Sequence, residues 1–211
     1  MSAKTICPMD CPDSCSLEIE VVDGRVQAIR GGLDHPNTRG FICSKVANFR
    51  RRLEHPDRLL YPMRRLGDKG EGRFVRIGWN EALGEIAERF DDIATRWGSE
   101  AIVPFHYGGS NGQLTDGLLD ALFFDRIGAS RLELTICAVP TTAVARGMYG
   151  RIPGVAFEDF PRARLILIWG ANPKASNIHL VPYLREARRN GAFIATVDPR
   201  NNFSGNETDL H

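Results

Sequence analysis

The chain has 211 residues, 43% of them hydrophobic, and a formal net charge of +1. These values describe a globular protein and exclude a disordered, collagenous or membrane-embedded one. A chain of this length buries roughly 70% of its unfolded surface and needs no staple for stability.

The balanced charge points to neither nucleic acid nor an anionic membrane as a partner, and the short runs Arg50-Arg51-Arg52 and Arg64-Arg65 read as solvated faces. The N-terminus, Met1-Ser2-Ala3-Lys4-Thr5-Ile6, has neither the apolar centre of a signal peptide nor a twin arginine. No stretch approaches the ~18 apolar residues of a membrane span. A cytoplasmic location is expected, where clustered cysteines are read as metal ligands in preference to disulfides.

Four of the five cysteines fall in residues 7–43. Cys7, Cys11 and Cys15 stand at four-residue steps, and Cys43, followed by Ser44-Lys45, lies far downstream. Three close thiols leave one position open at a tetrahedral or cubane centre, and the distant thiol closes it when the chain folds back. Zinc and a [4Fe-4S] cluster both take four thiolates, and the spacing leaves both open.

Ser16-Leu17-Glu18-Ile19-Glu20-Val21 alternates apolar and polar residues, and Asp23-Gly24 supplies a type I′ turn into a return strand through Val26 and Ala28. This hairpin would carry the chain out and back, bringing Cys43 to the first three thiols. Residues 53–72, rich in Pro, Gly and Arg, read as an irregular connector with a domain boundary near residue 60. Residues 74–77 suit a short strand. From Trp79 to Trp97, apolar residues recur at helical spacing, with Asn80 a candidate N-cap and Gly98 a stop, and the stripe is expected to pack in the core.

Residues 101–106 have the length and composition of a strand. They lead to a glycine turn at 107–112 and a second helix whose Leu114, Leu118, Leu119, Leu122, Phe123 and Ile127 face inward, with Gly128 closing it. The turn lacks the P-loop lysine and the full dinucleotide fingerprint. Residues 132–137 form another short apolar stretch, followed by a polar, Gly-containing region to about residue 161. The continuous apolar run at 165–169 is expected at the centre of a parallel sheet. It ends at Gly170-Ala171-Asn172-Pro173. A helix over 178–190 and a strand over 192–197 follow, the latter ending at Asp198-Pro199-Arg200.

Two parallel strands with polar turns at their carboxyl ends make a nucleotide-type crevice, where Asp and Arg suit ribose hydroxyls and phosphates. The expected fold is therefore α/β: a small N-terminal β-rich domain followed by incomplete doubly wound, Rossmann-like segments, divided at 1–60, 61–135 and 136–211.

Taken together, the motifs resemble the N-terminal portion of the molybdopterin oxidoreductases of the DMSO reductase and formate dehydrogenase type. The matching stretches begin with Cys7, Cys11, Cys15 and Cys43-Ser44-Lys45, and with His35-Pro36 and Arg39-Gly40-Phe41. Asp57-Arg58-Leu59-Leu60-Tyr61-Pro62, Trp79-Asn80-Glu81-Ala82-Leu83, Trp169-Gly170-Ala171-Asn172-Pro173 and Val197-Asp198-Pro199-Arg200 follow in the family's order.

The resemblance implies a [4Fe-4S] cluster on Cys7, Cys11, Cys15 and Cys43, and places Lys45 between cluster and pterin on the electron path. It implies Cys137 as the protein ligand to molybdenum or tungsten, although from the residues alone Cys137 reads as a small buried hydrophobe. Gly170, Asn172, Pro173, Ser176, Asp198, Pro199 and Arg200 match segments lining one of the two pterins of a Mo (or W)-bis(molybdopterin guanine dinucleotide) cofactor. Formate dehydrogenases follow the metal ligand with histidine, and Ala138 stands here, which argues against formate as substrate.

The implied function is that of an oxidoreductase passing electrons between the metal centre, the cluster and an external electron carrier. Family chains are several-fold longer, so the remainder of the oxidoreductase is expected from a second chain or a longer native polypeptide. The alternatives are a truncated, catalytically inactive iron–sulfur fragment and a zinc-binding module.

Overall fold

The computed structural model describes residues 1–9, 11–106, 118–133, 135–201 and 207–211. In chain order the first elements are strands β1 (Ser2–Ile6), β2 (Ser16–Val22) and β3 (Arg25–Gly31), then helices α1 (Ser44–Ala47) and α2 (Phe49–Leu53). Strands β4 (Met63–Arg65) and β5 (Phe74–Arg76) precede helices α3 (Trp79–Trp97), α4 (Leu119–Arg126) and α5 (Ala138–Tyr149). Strand β6 (Leu165–Trp169), helices α6 (Pro173–Ser176) and α7 (Leu180–Arg189), and strand β7 (Phe193–Val197) complete a mixed α/β fold. Two compact units result: residues 1–50 together with 136–211, and residues 51–135.

In the first unit the hairpin forms as its alternation predicts. Asp23 and Gly24 take φ of +50° and +73°, the paired positive values that a type I′ turn requires. β1 was not expected. It adds to β2 as an antiparallel edge, giving the order β1-β2-β3. All five of its residues are exposed, so it is held mainly by backbone bonds, with one surface ion pair from Lys4 to Asp34, and leaves no hydrophobic pattern to read. Leu17, Cys15 and the fully buried Val46 of α1 form a small core under this sheet. A Cβ on Gly31 would lie 2.8 Å from both the Gly40 carbonyl carbon and the Thr38 methyl, so the loop before Cys43 lies directly against the end of β3.

The remainder of this unit is a β-α-β crossover. β6 and β7 run parallel, in register from Leu165 opposite Phe193 to Trp169 opposite Val197, with α6 and α7 between them in sequence. Ile166 and Ile168 of β6, Ile194 of β7 and Tyr183, Leu184 and Ala187 of α7 share one core, on which Phe157 and Phe160 pack. Spacings of three and four residues place the α7 positions on one stripe. The expectation of a strand buried on both faces is corrected here. Burial along β6 alternates, and Leu165, Leu167 and Trp169 are exposed. Among the described residues only β7 pairs with β6, and the face carrying Leu165, Leu167 and Trp169 is bare.

Residues 209 and 210 cover the edge of β7 that β6 does not pair with. Leu210 bridges Ala195 in parallel, and the Asp209 carboxylate accepts from the Ile194 amide at 2.9 Å. Glu207 receives Lys174 and Arg185, in that order of effect, and they hold its carboxyl below the usual range. A depressed carboxyl contributes stability that is present above its unfolded value of about 4 and is lost as pH falls through the lower folded value. Because Arg185 is largely exposed, Glu207→Gln is expected to cost no more than about 1 kcal/mol at neutral pH. The difference should vanish in acid, as read by urea denaturation of both proteins at the two pH values.

α5 lies in the stretch read as polar and irregular. Pro140, Thr141, Thr142 and Gly147 are weak helix formers, but Pro140 falls in the first turn, where no intrahelical N–H is lost.

In the second unit, β5 forms near the predicted strand and pairs antiparallel with β4. β4 lies within the stretch read as irregular connector. α3 spans the predicted residues, but it is capped by Gly78, not Asn80, and ends at Gly98 with φ of +86°. Its apolar stripe is not a core face among the described residues: none of its residues is buried, and Trp79, Leu83, Ile86 and Trp97 are exposed. Residues 101–106 form no strand, although Ile102 is buried and its carbonyl accepts from the Ser130 amide at 3.0 Å. α4 is the second half of the expected helix. The glycine turn and Leu114 lie outside the described residues. No strand forms at the described residues of 132–137.

Candidate metal centre

The last pair of β1 and β2, Ile6 opposite Ser16, makes residues 7–15 the loop of a hairpin. The Cys7 amide donates to the Cys15 carbonyl at 2.8 Å across its mouth. β3 then returns the chain, and a turn over 35–41 delivers Cys43 to the start of α1. His35 shapes that turn, its Nδ1 accepting from the Asn37 and Thr38 amides at 3.3 and 3.1 Å. The consequence is that Cys7, Cys11, Cys15 and Cys43 line one cavity of about 100 Å³. All four are free thiols, with Cys15 buried and the other three half-buried.

The second wall of the cavity comes from residues 175–179, far along the chain. The Cys11 thiol donates to the Ser176 carbonyl at 3.3 Å, and Lys45 Nζ donates to the Ala175 carbonyl. Behind this wall His179 and Asp13 are buried together, with Nδ1 2.7 Å from Oδ2. The His179 Nε2 stands 2.8 Å from the Phe41 carbonyl, and Cys15 Sγ lies 3.8 Å from Nδ1. Asp13, Cys15 and His179 offer ligand atoms within 4.8 Å of one another, but the His179–Asp13 hydrogen bond already engages two of these atoms.

Burial pushes the Cys15 thiol up to about 11, with the Asp13 charge adding to the effect and a hydrogen bond from Thr38 opposing it. Burial also raises Cys11, aided by Asp13 and by the neighbouring Cys43 and Cys7 thiols. Without a cation these sulfurs therefore hold their protons, and a metal bound here displaces them. Four free sulfurs from two chain segments around one cavity fit a thiolate-held metal group.

The predicted pterin residues gather at the carboxyl ends of β6 and β7. The Gly170 amide donates to the Val197 carbonyl at 2.9 Å, which sets the turn at 170–173 beside Asp198-Pro199-Arg200. Asp198 Oδ1 accepts from the Arg200 amide at 2.7 Å. Asn172 Oδ1 is buried with no hydrogen-bond partner among the described residues. Ser176 reaches both places: its hydroxyl donates to the Asn172 carbonyl and its own carbonyl meets Cys11. Cys137 is exposed, one residue before α5, which corrects its reading as a buried hydrophobe, and it does not line the thiol cavity.

His179 and Asp13 were not singled out from the sequence. Asp13 falls between two cysteines, a position where a carboxylate is conspicuous. His179 carries no local signal, because its partners lie up to 166 residues away.

A four-thiol cavity walled by the turn of a parallel β-α-β segment fits the class of thiolate-ligated α/β metalloproteins. Residues 1–55 match the family profile described as the molybdopterin oxidoreductase Fe4S4 domain, and residues 58–211 match that described as molybdopterin oxidoreductase. The chain belongs to the molybdopterin oxidoreductase family, whose matched domains imply a [4Fe-4S] cluster and a molybdenum–molybdopterin cofactor.

Among curated relatives, the probable oxidoreductase YoaE of Bacillus subtilis is 36% identical, over 98% of this chain and 30% of that protein. Dimethyl sulfoxide reductase DmsA of Escherichia coli is 29% identical, over 92% of this chain and 26% of that protein. The assimilatory nitrate reductase catalytic subunit of B. subtilis is 26% identical, over 98% and 29% respectively. The chain thus spans less than a third of the length of these relatives. No helix among the described residues is long and apolar enough to cross a membrane.

Proposed function

We propose that this chain is the N-terminal part of a Mo (or W)-bis(molybdopterin guanine dinucleotide) oxidoreductase that passes electrons between the metal centre and a [4Fe-4S] cluster. The observation that carries this reading is the convergence of Cys7, Cys11, Cys15 and Cys43 on one cavity with no disulfide among them. When bound, the cluster supplies one-electron transfer and the pterin-held metal two-electron chemistry.

The chain's own residues divide the work. The four cysteines hold the cluster. Lys45, anchored on the Ala175 carbonyl, places a positive charge and a donor at the cavity wall, which follows the turn at 170–173 in sequence. Gly170, Asn172, Pro173, Ser176, Asp198, Pro199 and Arg200 bind one pterin dinucleotide at the carboxyl ends of β6 and β7, where open α/β sheets take their ligands. Asn172 Oδ1, unpartnered among the described residues, is an acceptor suited to a donor of that ligand. Cys137 supplies the protein ligand to the metal from the N-terminal end of α5, where unpaired helix amides favour a negative group.

The segments 61–135 and 136–211 extend toward a doubly wound domain completed by the rest of the oxidoreductase, which delivers electrons to or from an external carrier in the cytoplasm. The exposed Leu165, Leu167 and Trp169 support such a completion. Metal analysis of anaerobically purified protein tests the reading. Iron with molybdenum or tungsten is the expected result. Iron alone would favour a cluster-binding, catalytically inactive fragment, and zinc alone would sink both readings.

A further inference from the structure

We propose that His179 is a positioning residue for the iron–sulfur centre: it fastens the two arms of the cysteine loop together and, with Asp13, sets the electrostatic field at Cys15 and so the reduction potential. This rests on the reading that the four cysteines hold a cluster.

The geometry is that of a clamp. Asp13 belongs to the first arm, between Cys11 and Cys15, and Phe41 to the second, two residues before Cys43. The His179 ring bonds to both, with Nδ1 2.7 Å from Asp13 Oδ2 and Nε2 2.8 Å from the Phe41 carbonyl. Its backbone amide donates to the same Oδ2 at 3.2 Å, and its ring lies 4.1 Å from that of Phe41, centre to centre. A parallel link, Arg39 to the Tyr183 hydroxyl, ties the second arm to α7. A carbonyl oxygen only accepts, so Nε2 is the donor of the bond to Phe41. The Nδ1 atom that meets Asp13 lies 3.8 Å from Cys15 Sγ.

The electrostatic part follows from Asp13. It is 1% exposed, and its Oδ1 has no hydrogen-bond partner among the described residues. A negative group so placed beside four sulfurs disfavours any further negative charge, and the His179 ring is the group that answers it. Cluster potentials depend on net charge, hydrogen bonds to sulfur and solvent exposure. Removing the ring takes away its bond to the buried Asp13 carboxylate beside Cys15 and leaves that carboxylate with the backbone amide of residue 179, which makes reduction harder. Removing the carboxylate charge makes it easier. A ring that merely filled space would do neither.

The test is an EPR-monitored redox titration of the full chain, purified anaerobically, carrying His179→Ala, His179→Gln or Asp13→Asn, with iron content and melting temperature measured alongside. The midpoint potential is expected to fall in His179→Ala, to fall less in His179→Gln, which keeps one donor, and to rise in Asp13→Asn. If His179→Ala fails to load iron, the opposite shifts of the other two variants decide on the same criterion. A lowered melting temperature with unshifted potentials in the iron-loaded variants would overturn the proposal and leave the cluster intact. Zinc in place of iron in the unaltered chain would overturn the cluster reading and this proposal together.

Discussion

Cys43→Ser is expected to strip the chain of nearly all its iron, whereas Cys137→Ala leaves iron content unchanged. Cys43 is the thiol that arrives from a separate segment and closes the cavity made by Cys7, Cys11 and Cys15. With it gone, three thiols face an open position, and a serine hydroxyl is a hard donor with little affinity for a site of soft sulfur ligands. Cys137 does not line that cavity, so its loss leaves the four sulfurs in place. A colorimetric iron assay per mole of anaerobically purified protein distinguishes the two. Full iron in Cys43→Ser would remove that residue from the ligand set, and lost iron in Cys137→Ala would tie the exposed thiol to the cluster.

The second large effect lies in the β-α-β segment. Ile194 is 1% exposed, sits mid-strand in β7 and shares its core with Ile166, Ile168, Leu184 and Ala187. Truncation to alanine leaves a cavity that the parallel pair and α7 cannot both close, at a cost of about 2–5 kcal/mol. That is a large part of the roughly 5–15 kcal/mol that holds a domain folded. Leu167→Ala, on the bare face of the same sheet, should change stability by no more than about 0.5 kcal/mol. Chemical denaturation of the two variants measures the contrast. Equal losses would mean that the outer face is covered.

Much of this architecture is legible in the chain because a local chemical reason dictates it. Asp23-Gly24 forces the hairpin, the run at 165–169 forms β6, and the repeat from Trp79 to Trp97 forms α3. The illegible elements lack such reasons. β1 and β4 are exposed edges held by backbone bonds, so neither shows a buried stripe. α5 carries Pro, Thr and Gly, which local preference counts against a helix.

The same distinction runs through the site. The cysteine spacing predicts a gathered set of thiols, and the described cavity has one. That a segment near residue 179 would wall it was beyond reach, since a histidine and an aspartate 166 residues apart give no sign of each other in a single sequence. The apolar stripe of α3 shows the reverse failure: periodicity predicts which face is apolar but not what covers it.

The wall at residues 175–179 also imposes an order of events on biosynthesis. His179 is made 164 residues after Cys15, an interval of about 8–33 s at ordinary rates of about 5–20 residues per second. Throughout that time the ribosome holds a chain whose early thiols are already synthesised but whose second wall is not. Residues 51–135 meanwhile emerge and gather into a unit of their own, interrupting the unit that owns the thiols. The complete cavity is therefore available only late, after residues 175–179 have been made and the interrupted unit has rejoined. Ribosome-stalled chains ending before residue 175 should keep their cysteines open to alkylation that the finished, loaded protein resists.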